Sequence, residues 1–242
     1  MRRALASRHR IGAGALLILA LLLAAAAAHG SDSPAREQLA RAYGIEAFTQ
    51  VEEIRYTFNA KIGERVISRR WSWMPQIDQV VFLGTEEQGG TVAYDRSGLS
   101  PRSSELIRKV DPWFVNDNYW LIFPLRLFWD RSAAVTADEA PAPLPIGTGQ
   151  AARLVVSYPP NEGYTPGDVY ELFVDKSDRI VQWIYRKGGD PKPTRIATWE
   201  DYRQAGPLTL ALDHRGADEG FRVWFTDVAV RLAGRPEWIP AK

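Results

Sequence analysis

Residues 54 to 61 run Ile54-Arg-Tyr-Thr-Phe-Asn-Ala-Lys61, and this stretch decides the class of fold. Its apolar and polar side chains alternate, which is the two-residue period of a β-strand with one buried face. After a turn at Ile62-Gly-Glu64, the stretch from Val66 to Met74 continues the alternation. Four of its side chains are expected on one face: Ile67, Arg69, Trp71 and Trp73.

The segment before this strand has a different period. Residues 34 to 53 space their apolar side chains as a helix does, with Ser33 as a cap and Pro34 in the first turn. Gly44 is expected to kink or divide that helix.

The middle of the chain is predicted to contain two helical segments. Ser103 to Val110 is expected to form a short helix that stops before Asp111-Pro112. The stretch Asn118 to Asp130 is apolar on every side, which predicts a buried plug or packed helix. Pro124 is expected to kink it, and Trp120, Phe123, Leu127 and Trp129 are expected to avoid water.

The rest of the chain is predicted to be antiparallel strands, with a Pro-rich surface loop over 137–149. We expect Val181, Trp183 and Tyr185 to point one way and Ile180 and Ile184 the other, so both faces must be covered. The N-terminal helix and the plug could cover them, or one face could line a cavity. The other expected strands are Gln79–Leu83, Thr91–Asp95, Ala152–Tyr158, Val169–Asp175, Arg179–Lys187, Pro193–Tyr202, Pro207–His214 and Gly220–Arg231.

Composition excludes several kinds of function. The chain has 242 residues with 30 Lys+Arg and 29 Asp+Glu, and four of the arginines lie in the first thirty residues. Without that segment 26 basic and 29 acidic groups remain, so no nucleic-acid partner is expected. The absence of cysteine excludes thiol chemistry and Cys-ligated metals. Among three histidines only His214 lies in the body, so a Ser-His-Asp triad would have to use it.

The first thirty residues have the layout of a secretory signal: a basic start, an uncharged stretch from Ile11 to Ala28, then small residues. Cleavage is expected after Ala28 or Gly30. The alternative is a retained membrane anchor, since 18 apolar residues approach the length that spans a bilayer. Either way the body, 31–242, is expected to be one exported domain, periplasmic or secreted.

Several stretches together resemble the LolA/LolB-type lipoprotein-localisation family of periplasmic lipid-binding proteins, as a distant branch. They are the signal, the helix that leads into strand 54–61, and a set of hairpin segments. The resemblance covers nearly all of residues 34 to 232. It implies an α+β, mainly antiparallel fold, in which an incomplete β-barrel of curved sheet wraps around a few helices and its hydrophobic cavity takes acyl chains. The hairpin segments are Arg69-Arg-Trp-Ser-Trp-Met-Pro75, Tyr170-Glu-Leu-Phe-Val-Asp175, Arg179-Ile-Val-Gln-Trp183, Trp199-Glu-Asp-Tyr202 and Gly206-Pro-Leu208.

These patterns favour a non-enzymatic protein, expected to be monomeric, that binds a hydrophobic small molecule, lipid or lipoprotein acyl chain. It would contact membranes or envelope proteins only transiently, and no cofactor, metal or catalytic residue is expected. The chain has nine each of Trp, Tyr and Phe, large rigid side chains that suit a cavity wall and equally suit a core. The candidates for the cavity wall are Trp71, Trp73, Trp120, Phe123, Trp183, Tyr185, Trp199 and Trp224.

Two other kinds of function stay open. A carbohydrate-binding protein or hydrolase would use exposed Trp and a pair of carboxylates, but adjacent acids such as Glu52 and Glu53 are expected on opposite faces of a strand. Asp175 and Asp178 flank a turn that could hold calcium, although turn formation alone explains them. Arg69 and Arg70 could contact a lipid head group. A ligand-free structural role in the cell envelope is the third possibility.

Overall fold

The computed structural model describes residues 33–161 and 166–242, which form two antiparallel sheets and two α-helices. The expected export signal lies outside the described residues. In chain order the elements are α1 (Pro34–Ala42), β1 (Val51–Ile62), β2 (Arg65–Met74), β3 (Gln79–Leu83), β4 (Thr91–Asp95), α2 (Glu105–Trp129), β5 (Ala134–Ala137), β6 (Ala142–Pro143), β7 (Gln150–Ser157), β8 (Val169–Val174), β9 (Ile180–Arg186), β10 (Arg195–Thr198), β11 (Glu200–Ala205), β12 (Leu208–Arg215), β13 (Phe221–Leu232) and β14 (Trp238–Pro240).

The first sheet has the order β11-β12-β13-β1-β2-β3-β4, with β14 beside β13. The second has the order β10-β9-β8-β7-β5, with β6 beside β7. Most neighbours are consecutive in the chain, and the pairing of β1 with β13 is the main non-local contact. The predicted fold class is confirmed: the described strands are antiparallel, helices are few, and neither sheet closes into a barrel.

Gly44 divides the N-terminal helix as predicted. Its φ of 91° lies in the left-handed region, and a Cβ there would meet the Pro207 carbonyl oxygen at 2.2 Å. A 3-10 turn over Ile45–Gln50 follows, and β1 begins at Val51, three residues before the alternation becomes clear.

The prediction of two separate helical segments in the middle was wrong. Helix α2 runs without a break through Pro112, from an N-terminus where the Ser104 hydroxyl accepts a hydrogen bond from the Ile107 N–H. A proline inside a helix costs about 3 kcal/mol. Several fully buried apolar side chains follow, each contributing about 1.5–3 kcal/mol, and they outweigh that cost.

The predicted kink is present, and Ile122, two residues before Pro124, leaves helical geometry with φ −129° and ψ 25°. Trp120, Phe123 and Leu127 are buried as expected. The expectation for Trp129 was wrong, since it is 41% exposed. It ends the helix and packs against Phe48, with ring centroids 4.6 Å apart.

The stretch 193–202 is not one strand. Within it β10 pairs with β9 in the second sheet, whereas β11 pairs with β12 in the first. The chain passes from the second sheet to the first at Trp199. The backbone N–H of Trp199 still donates to the Val181 carbonyl, and Asp201 then turns the chain with a φ of 51°. No glycine or proline interrupts 195–205, so the sequence carries no sign of the change of sheet.

The face assignment within β9 also needs correction. Val174 is opposite Ile180 and Phe173 opposite Gln182, so Val181 is an extra residue in a β-bulge. The bulge puts Ile180 on the same side as Trp183 and sends Val181 to the outer face.

The loop over 137–149 covers that outer face. Leu144 packs there against Phe173 and Ile184, while the Gln182 amide accepts from the Ile146 N–H and donates to its carbonyl, both at 2.8 Å. The second sheet is thus covered outside by a loop and inside by α2.

Candidate functional site

A cavity of about 730 Å³ lies where α2 meets both sheets. Its walls come from β1, β2 and the start of β13 on one side, from β8 and β9 on the other, and from the first half of α2. A volume of this size is typical of small-ligand pockets. The apolar residues of the wall are Phe58, Ala60, Ile62, Ile67, Pro112, Trp113, Val115, Tyr119, Trp120, Pro166, Tyr170, Trp183, Tyr185, Phe221 and Val223.

Seven lining residues are exposed to solvent: Ile62, Pro112, Asn116, Pro166, Lys187, Gly188 and Thr194. The part of the rim formed by Lys187, Gly188, Thr194 and Arg195 is called the mouth below. The turn that carries it is fixed by Asp168, whose carboxylate accepts hydrogen bonds from the Gly188 N–H at 2.7 Å and the Tyr185 hydroxyl at 2.9 Å.

Three of the eight candidate residues line the cavity: Trp120, Trp183 and Tyr185. The Trp120 and Trp183 rings meet edge to face, with centroids 4.5 Å apart. They join the helix to the second sheet and form the inner end of the wall. Their role in binding stays a prediction.

The other five candidates lie elsewhere. Trp71 and Trp73 pack against Phe114 under the first sheet, Phe123 packs behind Trp183, and Trp199 packs against His214. Trp224 is half-buried on the opposite face of β13, under the Arg222 guanidinium at 4.9 Å. None of these five appears in the wall.

Much of the wall escaped the sequence analysis. Phe58 belongs to the predicted buried face of β1, and that alternation was a signal for it. Phe221 and Val223 alternate in the same way at the start of β13, on the face that carries Phe225. Tyr119 lies within the stretch Asn118 to Asp130 that was predicted to be buried, and that prediction was a signal for it. Trp113 lies between the two predicted helical segments, so nothing in the sequence analysis pointed to it.

Arg69 lines the cavity, but its charge is already paired. Its Nε and Nη2 atoms donate to the two carboxylate oxygens of Asp117 at 2.7 and 2.5 Å, and the Trp71 indole N–H donates to the same carboxylate at 2.9 Å. Burial raises the pKa of Asp117 to about 6, and the guanidinium opposes that shift. Arg70 lies on the exposed face of the strand.

His214 sits in an aromatic box, with ring centroids of Trp199 and Trp120 at 4.6 and 5.2 Å. Neither of its nitrogens has a side-chain hydrogen-bond partner among the described residues. Burial lowers the pKa of His214 to about 3, so the ring is neutral at physiological pH. A triad does not form around it.

The carboxylates that the sequence analysis considered for catalysis or calcium binding form ion pairs and turn hydrogen bonds. Glu52 and Glu53 both pair with Arg231, at 2.9 and 2.5 Å, because a bulge in β1 breaks the alternation that was expected to separate them. Asp175 accepts from the Ser177 and Arg179 N–H groups, as a turn residue does. The described residues contain no group of three or more metal-ligating side chains.

No known family model matches the chain, and no curated protein matches it. Two solved structures share its arrangement. A DUF1329 family protein from Desulfovibrio piger has 9% identity and a TM-score of 0.45, over 83% of this chain and 92% of that one. An outer membrane lipoprotein-sorting protein domain from Vibrio parahaemolyticus has 10% identity and a TM-score of 0.43, over 84% and 95%. Both are likenesses of overall arrangement alone.

Between residues 33 and 242, as far as the structure describes them, no helix combines the length and the apolar character needed to cross a membrane.

Proposed function

We propose that the protein is an exported, non-enzymatic carrier or receptor that holds a hydrophobic ligand such as a lipid or acyl chain. The observation that carries this proposal is the aromatic cavity between α2 and the two sheets. Concave apolar walls with a few polar groups at one end are the usual form of a small-molecule site.

The same cavity gives little support to the carbohydrate alternative. Sugar hydrolysis needs two carboxylates facing one space. Among the described residues of this wall, Asp168 is the one that carries a carboxylate. One of its oxygens accepts a hydrogen bond from the Gly188 N–H and the other from the Tyr185 hydroxyl.

Mass spectrometry of gently purified protein tests the proposal. We expect a bound species that native spectra retain and that solvent extraction removes. The denatured mass also tests export, since a processed chain should begin at His29 or Ser31. A mass that includes Met1 would contradict processing.

A matched pair of substitutions locates the ligand. Ile67 lines the cavity, while its neighbour Val66 is 64% exposed on the other face of β2. Ile67→Trp should narrow the cavity and reduce retention of the bound species, and Val66→Trp should leave its retention unchanged. Equal retention by both variants, with both folded by circular dichroism, would place the ligand outside this cavity.

A further inference from the structure

The mouth of the cavity carries positive charge that no carboxylate of the described residues pairs with. Lys187 and Arg195 both line it, and neither has a carboxylate within 4.0 Å in the described part of the chain. Most other arginines around the sheets are paired, as Arg69 is with Asp117 and Arg186 with Glu171.

Arg195 is also held in a fixed position. Its guanidinium lies over the ring of Phe221, 4.1 Å from the centroid, and Phe221 is itself buried in the cavity wall. A cation stacked on an aromatic face keeps its N–H edges free for another acceptor. The guanidinium therefore stands where the apolar wall gives way to solvent.

The main chain of Lys187, the second cation, lies beside the segment that carries Arg195. The Lys187 N–H donates to the Thr194 hydroxyl at 2.9 Å, and Thr194 directly precedes Arg195. Asp168 is the sole acidic group among the described lining residues, and it is buried beneath the turn. The mouth thus presents two cations and one internally bonded carboxylate.

Resting on the proposed function, we infer that the ligand is an amphiphile with an anionic head group, a carboxylate or a phosphate, which Arg195 and Lys187 bind at the mouth while its chain occupies the cavity. Arginine presents paired donors that match the oxygens of either group.

Ligands of equal chain length test this inference. A neutral fluorescent probe, N-phenyl-1-naphthylamine, reports occupancy of the cavity, and palmitate, hexadecan-1-ol and palmitoyl lysophosphatidate compete for it. Palmitate should bind roughly tenfold more tightly than the alcohol, as expected for charge-assisted hydrogen bonds. The advantage should shrink as salt is raised. The lysophosphatidate arm separates a phosphate head group from a carboxylate.

Arg195→Gln and Lys187→Gln should each reduce that preference, and in the double variant palmitate and the alcohol should bind with equal affinity. Lys192→Gln is the control, because Lys192 is exposed on the same connection but does not line the cavity. Equal binding of palmitate and the alcohol, or a preference that survives the double variant, would overturn the inference and leave the proposed function standing. If no competitor displaces the probe, or the probe does not bind, the proposed function fails as well.

Discussion

At the scale of single residues, His214 shows how a polar side chain can serve as core. Its imidazole has no side-chain hydrogen bond and is surrounded by aromatic rings, so the charged form is costly to bury and the ring is neutral in the fold. When acid protonates His214 in the unfolded chain, the free energy of unfolding falls, because the buried ring stays neutral.

The pH dependence of stability tests this. The pKa of His214 falls from 6.5 in the unfolded chain to about 3 in the fold, so between these values the unfolded state binds the extra proton. The stability that depends on neutral His214 is therefore complete above pH 6.5 and is lost as the pH falls. About 2 kcal/mol should be gone by pH 5, at roughly 1.4 kcal/mol per pH unit.

His214→Phe keeps an aromatic ring at this position and removes the titration. Urea unfolding at pH 7.5 and pH 5 should show wild type losing about 2 kcal/mol more than the variant between the two. Identical losses in both proteins would show that His214 is hydrated or paired in the fold.

At the scale of elements, helix α2 shows where local sequence signals fail. Pro112 predicts a helix end, yet burial of the residues that follow overrides it. Pro124 predicted the kink correctly. The helix continues beyond the kink because buried apolar residues lie on both sides of Pro124. A proline's effect on its own turn is local, whereas burial depends on partners far along the chain, which one sequence does not reveal.

The kinked half of α2 has two faces with different roles. Phe123 is fully buried, packs behind Trp183 and is not part of the cavity wall. Trp120 lines the cavity. Phe123→Ala should therefore cost about 3–5 kcal/mol of stability and leave probe affinity largely unchanged.

Trp120→Ala should cost less stability than Phe123→Ala, because a space already adjoins its ring, and should weaken N-phenyl-1-naphthylamine binding. Unfolding free energies and probe titrations of the two variants separate the roles. A reversed pattern, with probe binding lost in Phe123→Ala alone, would contradict this division of the helix.

At the scale of the whole molecule, the alternation of apolar residues predicted most strands, but it could not assign them to two sheets. The crossing at Trp199 and the bulge at Val181 depend on contacts between β9, β10 and β11, which the sequence does not mark with glycine or proline. The cavity follows from that crossing, because it sets the second sheet against the first with α2 between them. Three of the aromatic candidates line the cavity, namely Trp120, Trp183 and Tyr185. Two others that are equally aromatic, Trp71 and Trp73, lie in the hydrophobic core.

A cycle of three hydrogen bonds links the two sheets to the N-terminal helix. The Ile180 N–H of the second sheet donates to the Tyr43 hydroxyl at 3.0 Å, and the Tyr202 hydroxyl of the first sheet donates to the Ile180 carbonyl at 2.5 Å. The two hydroxyls are 2.6 Å apart, so Tyr43 donates to Tyr202. Burial raises the pKa of both phenols, which keeps them protonated as donors.

This cycle should make the sheets unfold as one unit. Tyr43→Phe and Tyr202→Phe should each cost about 1–3 kcal/mol, because each leaves a buried backbone group of Ile180 unpaired. The double variant should cost less than the two losses together, by about 1 kcal/mol, since either substitution already breaks the cycle. Tyr94→Phe is the control: Tyr94 bonds to Asp111 far from the cycle, so its loss should add to that of Tyr202→Phe.

Coincident urea transitions by circular dichroism and tryptophan fluorescence are expected in the wild type. Two separated transitions, or full additivity for Tyr43 and Tyr202, would mean that the sheets are held together only by the apolar packing around α2.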